Sequence, residues 1–113
     1  MLRGEIWLVT LDPTVGAEIG KTRPAVIISD DGVGILPLKV AVPITVWQNR
    51  YINRDWMVRI EPNGENNLTK TSAADTFQVR SLSQERFIRQ IGTLSETTME
   101  EITTALATVL NIN

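Results

Sequence analysis

Through residue 94, the apolar residues of this chain follow strand-like patterns. In residues 5–11, Ile6 and Leu8 alternate with Trp7 and Val9, so both faces of the predicted strand are apolar. Such a strand is expected to be buried on two sides. Short apolar or alternating segments predict further strands at Ala25 to Ser29, Lys39 to Trp47, Trp56 to Ile60, Thr76 to Leu82 and Arg89 to Leu94.

The connections between these strands contain turn-forming residues. The segment from Asp12 to Arg23 includes Gly16 and Gly20 and is long for a connection between strands, which is often a sign of function. Pro43 interrupts the third predicted strand, and a proline lacks the N–H that a ladder needs. That strand is therefore predicted to lie at a sheet edge or to carry a bulge. Residues 83–87 are predicted to form a single helical turn.

The last segment changes to a helical period. Ser95 is a good N-cap, and Glu96 follows in the first turn, where the helix dipole favours a carboxylate. The helix is predicted to end near Asn111. Its apolar stripe is predicted to pack on the core and consists of Met99, Ile102, Leu106, Val109 and Leu110.

A run of short strands followed by one amphipathic helix predicts a mainly β fold. The expected architecture is a compact, mostly antiparallel barrel or curled sheet with the C-terminal helix packed on it. The chain has 113 residues, which corresponds to a single domain over residues 1–113.

Composition narrows the possible chemistry. The chain has no cysteine and no histidine, which excludes disulfides, thiolate metal sites and the usual general base near neutral pH. We therefore expect no metal or other cofactor. The net charge of −2 does not itself indicate a nucleic-acid partner, so RNA binding would require cations gathered on one face. We expect no signal peptide, no membrane partner and a cytoplasmic location.

The loop that ends at Arg23 is the first candidate site. It carries Glu18, Lys21, Thr22 and Arg23, and Pro24 biases Arg23 toward an extended backbone at the entrance of a strand. The planar guanidinium fork suits a phosphate. The residues alone favour an ordinary solvated loop with a surface lysine and arginine.

Two strand segments supply the other candidates. Thr45 follows the distortion at Pro43, and Trp47 and Gln48 begin a stretch of aromatic, amide and cationic residues of the kind that binds single strands. Thr45 could equally be an ordinary β-branched strand residue. Alternation places Gln78 and Arg80 on one side of a strand, where they could contact RNA or simply face solvent.

The remaining cations receive no role from their positions in the sequence. They are scattered along the chain at Arg54, Arg59, Lys70, Arg86 and Arg89.

In order and spacing, the segments of this chain resemble the MazF/PemK/Kid family of toxins. The start of the chain is similar to the family pattern G-[DE]-[IV]-[WY], then D-P-x-x-G-[SA]-E, then R-P-[AV] before an apolar strand. The matching segments are Arg3 to Val9, Leu11 to Glu18, Arg23 to Ser29, Val42 to Thr45, Gln78 to Leu82 and Ile91 to Leu94.

This resemblance implies an SH3-like barrel of the MazF/Kid/CcdB type with a C-terminal helix. It implies a homodimeric toxin that cleaves single-stranded messenger RNA selectively and is neutralised by a MazE-like antitoxin. It assigns catalysis to Arg23 and Thr45, with Glu18 as the acidic residue of the first loop. The chain departs from many relatives at Ile19 and Phe77, so its base preference is left open.

Without histidine, the simplest cleavage is attack by the RNA 2′-hydroxyl on the adjacent phosphate. Arg23 would stabilise the phosphorane, Thr45 would bond a phosphate oxygen, and Glu18 is the candidate proton acceptor. Lys21, Thr22, Trp47, Gln48, Gln78 and Arg80 are the expected RNA-binding residues.

Two other functions are compatible with the same fold class. A toxin resembling CcdB would act on DNA gyrase without catalysis, and a degenerate barrel would serve only as an interaction module. A gyrase poison has no need of Arg23 and Thr45, so these residues favour the endoribonuclease.

Overall fold

The computed structural model describes residues 1–34 and 36–113. Its strands and helix follow the order β1 to β7 and then α1. Their bounds are β1 Glu5–Thr10, β2 Thr22–Ile27, β3 Leu38–Val46, β4 Met57–Ile60, β5 Ser72–Asp75, β6 Arg80–Ser83, β7 Phe87–Thr93 and α1 Glu96–Leu110. Single 3-10 turns lie at Asn49–Tyr51, Thr76–Gln78 and Gln84–Arg86.

Strand β3 organises the antiparallel sheet. One side of β3 pairs with β2, whereas the other side pairs with β6 over Leu38 to Ala41 and with β5 over Ile44 to Val46. The sheet order is β4-β5-β3-β2-β1-β7, with β6 beside β3. Pro43 lies where the partner changes from β6 to β5, but β3 runs unbroken from Leu38 to Val46 and keeps its register with β2 through Pro43, so the predicted bulge is not found. The edge position is wrong, because β3 has partners on both sides.

The sheet is buried on both faces, as the apolar pattern of the first strand predicts. Ile6 belongs to a core that includes Val26, Val42 and Ile102 and lies under α1. Val9 belongs to a second core on the opposite face, together with residues such as Ile27, Ala41 and Leu82. A strand that supplies both cores needs apolar residues at odd and even positions, which explains the continuous apolar run of β1.

Helix α1 has the predicted boundaries. The Ser95 side chain accepts a hydrogen bond from the Thr98 N–H at 3.2 Å, and Asn111 ends the helix in the left-handed region with φ of 55°. Met99 and Ile102 are buried against the sheet, but Leu110 at the last turn is 55% exposed. No helix among the described residues is both long and apolar enough to cross a membrane.

The predicted strand from Thr76 to Leu82 is wrong in its first half. The Asp75 carboxylate accepts a hydrogen bond from the Phe77 N–H at 3.2 Å and caps a 3-10 turn that includes Gln78. Gln78 and Arg80 therefore do not lie on one strand. Strand β5 was not predicted. Its residues Ser72, Ala73, Ala74 and Asp75 show no apolar alternation, although all four are buried. The predicted helical turn in residues 83–87 is confirmed at Gln84–Arg86.

Candidate RNA-cleavage site

Arg23 and Thr45 lie on neighbouring strands at the same level. Ala25 on β2 pairs with Pro43 on β3, and continuing this antiparallel register by two residues places Arg23 opposite Thr45. The Arg23 Nη1 donates to Thr45 Oγ1 at 3.4 Å, and its Nε donates to the Gly20 carbonyl at 3.0 Å. These two contacts orient the guanidinium and leave further N–H groups available for an anion.

An open cavity of about 220 Å³ surrounds this pair, and we call it the Arg23 cleft. Its walls come from the ends of β2 and β3 and from the segment before β5. The lining residues are Thr22, Arg23, Pro24, Ile44, Thr45, Val46, Leu68, Thr69, Lys70 and Ser72. The cleft therefore joins two candidate catalytic side chains to the predicted RNA-binding residue Thr22 and to Lys70, which had no predicted role.

The loop of residues 11–21, here called loop L1, holds the backbone beside Arg23. The Leu11 N–H donates to the Lys21 carbonyl at 2.9 Å, which closes the loop at its base. Gly20 passes so close to Asp12 that a Cβ there would lie 2.4 Å from the Asp12 Oδ1. A larger residue at this position would therefore have to displace the Asp12 and Thr14 side chains. Lys21 is exposed and has φ of 67°, so its side chain projects from a left-handed turn next to the cleft.

Three side chains from the region of β6 hold loop L1 in place. Gln78 accepts from the Ile19 N–H at 3.0 Å and donates to the Ala17 carbonyl at 2.9 Å. The Arg80 Nη1 donates to the Leu11 carbonyl at 3.3 Å. The Arg86 Nη1 donates to the Thr10 carbonyl at 3.0 Å and to the Asp12 carbonyl at 2.8 Å.

Because these bonds join segments more than 58 residues apart, local sequence patterns cannot reveal them.

Glu18 lies in a different cavity from Arg23 and Thr45. Its Oε1 accepts the Val15 N–H at 2.6 Å, and its side chain lines a cavity of about 420 Å³. The other residues of this L1 cavity are Ala17, Phe77, Gln78, Val79 and Arg80. The structure therefore brings Glu18 close to Gln78 and Arg80, while Arg23 and Thr45 lie together elsewhere.

Trp47 and Gln48 follow β3 and lead into a cluster of rings and cations. The Trp47 ring meets the Tyr51 ring edge to face at 5.7 Å between centroids, and the Arg59 guanidinium lies 5.1 Å from the Trp47 centroid. Gln48 is exposed, and its carbonyl accepts from the Tyr51 N–H at 2.9 Å. Trp47 is thus a half-buried ring that contacts Tyr51 and Arg59.

Phe77, one of the departures from the family pattern, is 67% exposed and packs edge to face on Trp56 at 5.8 Å. Asp75 lies buried beneath this turn. Burial raises the pKa of the Asp75 carboxyl above its ordinary value, while hydrogen bonds from the N–H groups of Phe77 and Gln78 partly oppose the rise.

No three Asp, Glu, His or Cys side chains in residues 1–34 and 36–113 are placed to hold a metal ion.

A family model described as PemK-like, MazF-like toxin of type II toxin-antitoxin system matches residues 2–110. The chain belongs to this family. It is 31% identical to endoribonuclease MazF9 of Mycobacterium tuberculosis, over 99% of this chain and 98% of that protein. It is 33% identical to endoribonuclease PemK of Escherichia coli, over 97% of this chain and 82% of that protein.

Solved structures confirm the fold class. MazF from Deinococcus radiodurans matches with a TM-score of 0.82 and 22% identity, over 99% of this chain and 97% of that one. An endoribonuclease in complex with its cognate antitoxin, from a mycobacterial species, matches with a TM-score of 0.79 and 22% identity. That match covers 100% of this chain and 97% of the other. The predicted toxin-type barrel with a C-terminal helix is therefore correct.

Proposed function

We propose that this toxin is an endoribonuclease that cleaves single-stranded RNA, chiefly messenger RNA in the cytoplasm, and so stops translation and growth. The observation that carries the proposal is the Arg23–Thr45 pair, joined at 3.4 Å in an open cleft of a chain that belongs to the PemK-like and MazF-like toxins. A guanidinium held from two sides at a strand end is suited to a phosphate.

The proposed reaction is an intramolecular transesterification of RNA. The 2′-hydroxyl oxygen bonds to the adjacent phosphorus, and the bond from phosphorus to the 5′-oxygen breaks. The 2′-hydroxyl proton passes to an acceptor, and the departing oxygen takes up a proton to become a 5′-hydroxyl. The products are a 2′,3′-cyclic phosphate and a 5′-hydroxyl end.

Arg23 and Thr45 have distinct roles in this scheme. The free N–H groups of Arg23 face the charge that develops on the phosphorane oxygens, where a preorganised donor has its largest effect. The Thr45 hydroxyl accepts from Arg23 and donates its own proton to a phosphate oxygen. Arginine remains protonated in proteins, so we assign it to charge stabilisation and not to proton removal.

Glu18 is the proposed proton acceptor. Its Oε1 is occupied by the Val15 N–H, whereas its Oε2 has no hydrogen-bond donor within the described residues. Glu18 lines the L1 cavity and Arg23 lines the cleft, so loop L1 has to move its carboxylate within about 3 Å of the 2′-hydroxyl beside the scissile phosphate when RNA binds.

We assign RNA binding to residues beside the Arg23 cleft and beside the L1 cavity. Lys21 and Thr22 contact phosphates beside Arg23, and Trp47 and Gln48 receive a base on the far side of the cleft. Gln78 and Arg80 act on the side of the L1 cavity, where they contact RNA and hold the loop that forms its wall.

We further propose that the toxin works as a homodimer and is neutralised by a cognate antitoxin of the MazE type. One structural neighbour is an endoribonuclease in complex with its cognate antitoxin, and another is a MazE–MazF complex from Deinococcus radiodurans. An acidic antitoxin tail with aromatic anchors would match a cationic cleft bordered by Trp47.

The direct test is incubation of the purified toxin with a long single-stranded RNA in EDTA, followed by mapping of fragment ends. We expect discrete cuts with 5′-hydroxyl ends from the wild type and from the control variant Lys39→Gln, whose residue lies near the start of β3, where β3 pairs with β6, and lines neither the Arg23 cleft nor the L1 cavity. Intact RNA with the wild type would contradict the proposal, and stalling of DNA gyrase in a separate assay with Mg²⁺ and ATP would favour a CcdB-like poison instead.

A further inference from the structure

Two cations without a predicted role, Lys70 and Arg89, lie on one continuous surface with the Arg23 cleft. Lys70 lines the cleft itself. Arg89 lines a second cavity of about 360 Å³, here called the Arg89 pocket. Both cavities share Pro24, Leu68 and Thr69 as walls, so an occupant of one can continue directly into the other.

Strand pairing sets the distance along this surface. Leu8 on β1 pairs with Pro24 on one side and with Arg89 on the other. Directly paired residues point to the same face of a sheet, so Pro24 and Arg89 lie in one row, two strand spacings or about 10 Å apart. Arg89 therefore lies about 10 Å from Pro24, which lines both cavities, whereas the Arg23 side chain, one residue earlier on β2, points to the other face of the sheet.

The loop of residues 61–71, here called loop L2, holds Lys70 in position. Asn66 is 2% exposed, and its Oδ1 accepts from the N–H groups of Asn63 and Leu68 at 3.0 Å each. Its Nδ2 donates to the Glu61 carbonyl at 2.9 Å. A buried amide with these three bonds fixes the loop shape, so the backbone before Lys70 is preorganised.

Loop L2 is also attached to the edge strand β7. The Asn67 Nδ2 donates to the Ile91 carbonyl at 2.9 Å, and the Thr93 N–H donates to the Glu65 carbonyl at 3.0 Å. A Cβ at Gly92 would lie 2.3 Å from the Glu65 carbonyl oxygen, so only glycine permits this approach. The loop and the strand therefore form one rigid wall that carries Lys70 and Arg89 together.

The charges of Lys70 and Arg89 are available to a ligand. Both residues are exposed, and neither takes part in an ion pair within the described parts of the chain. Arg59, by contrast, is paired with Glu61 at 2.8 Å. Exposed cations without partners on a preorganised surface are the usual means of binding successive phosphates.

We propose that Lys70 and Arg89 form a phosphate-binding track that holds the RNA backbone adjacent to the scissile phosphate. The track rests on the proposed endoribonuclease function and extends it beyond the residues that the sequence indicates. Neither residue contacts the reacting atoms; the track sets how tightly longer RNA binds and along which line it leaves the Arg23 cleft.

The test compares Lys70→Gln, Arg89→Gln and the double variant with the matched control Lys39→Gln. Affinity is measured at several salt concentrations with a 2′-O-methyl form of an RNA that the wild type cuts. We expect each single variant to bind about tenfold more weakly at low salt, the scale of one charge-assisted hydrogen bond. The slope of log K against log salt should decrease by about 0.7 per variant and about 1.4 in the double variant.

Cleavage kinetics provide a second measurement. On long RNA the variants should raise KM and leave kcat unchanged, because the lost contacts are the same in the ground state and the transition state. When the substrate is shortened one nucleotide at a time from the end that faces the track, the difference between variant and wild type should disappear once the phosphates beside the scissile one are removed.

The outcomes separate the track from the function on which it rests. If the wild type does not cut RNA, the proposed function fails. If it cuts RNA but the variants keep the wild-type salt slope and KM, the track alone is refuted. Weaker binding of polyglutamate without weaker binding of RNA would also overturn it, because the surface would then select an acidic peptide.

Discussion

Two groups of cations on this fold differ in what their N–H groups already bind. Arg80 and Arg86 donate to backbone carbonyls of loop L1 at 2.8–3.3 Å and so hold the chain in shape. Arg23, Lys70 and Arg89 line cavities in which their charge can meet a ligand. Arg23 also donates one N–H to a carbonyl of loop L1, that of Gly20, but its other N–H groups open into the cleft, so the position of the free donors decides the role. We call Arg80 and Arg86, together with the uncharged Gln78 that also holds loop L1, the clamp, and we call Arg23, Lys70 and Arg89 the open cations.

Arg23→Ala should give the largest effect of an open cation, a loss of RNA cleavage with little loss of stability. Cleavage should fall by at least ~100-fold, the scale of losing one preorganised oxyanion donor. The free energy of unfolding should decrease by about 1 kcal/mol or less, because within the described residues the Arg23 side chain makes one well-formed hydrogen bond at 3.0 Å and one long one at 3.4 Å. Initial cleavage rates and a urea denaturation curve measure the two effects, and near-normal cleavage by a folded Arg23→Ala protein would remove Arg23 from the mechanism.

Arg86→Gln should instead decrease stability and leave the salt dependence of RNA binding unchanged. The variant loses charge-assisted bonds to two carbonyls of loop L1, and we expect a decrease of about 1–2 kcal/mol in the free energy of unfolding. The urea midpoint should decrease at constant slope, while the salt slope of RNA binding stays that of the wild type. A reduced salt slope with unchanged stability would place Arg86 among the open cations.

Gln78→Ala tests the uncharged member of the clamp. Loss of its two bonds to Ile19 and Ala17 should decrease stability by about 1 kcal/mol and weaken RNA binding. Because Gln78 carries no charge, the salt slope should not change. Wild-type stability together with weaker RNA binding would show that Gln78 contacts RNA without holding the loop.

Asp75→Asn should give the smallest effect. Burial raises the pKa of Asp75, so the folded protein binds this proton more tightly than the unfolded chain does. The resulting stabilisation is complete below the ordinary carboxyl pKa and is lost as pH rises through the higher folded value. Asparagine keeps an acceptor for the Phe77 N–H, so we expect a flatter stability–pH profile and equal or slightly higher stability at neutral pH. If the dependence of stability on pH were the same in Asp75→Asn and the wild type, the Asp75 carboxyl would not be the source of that dependence.

The elements with a clear period could be predicted from sequence. Helix α1 has the N-cap at Ser95 and the end near Asn111 that its residues indicate, and β1 is buried on both sides. The prediction failed where a single side chain overrides the pattern. Asp75 turns an apparent strand into a 3-10 turn by capping the Phe77 N–H, and the small residues of β5 give no apolar signal.

The candidate site was predictable only in part. The order of motifs indicated Arg23 and Thr45, and the strand register brings them together. Lys70, Arg86 and Arg89 remained indistinguishable from surface cations, since their roles depend on contacts between distant segments. Asn66, which shapes the wall of the track, has no sequence signal beyond an asparagine in a loop.

The sequence by itself determined which residue types are present, where strands and helix alternate, and the family to which the chain belongs. These properties depend on local periodicity and on the order of motifs. The tertiary structure decided which cations are open and which serve the clamp. It did so because hydrogen bonds and shared cavity walls form between strands that are far apart in the chain, and only folding brings their donors and acceptors within reach.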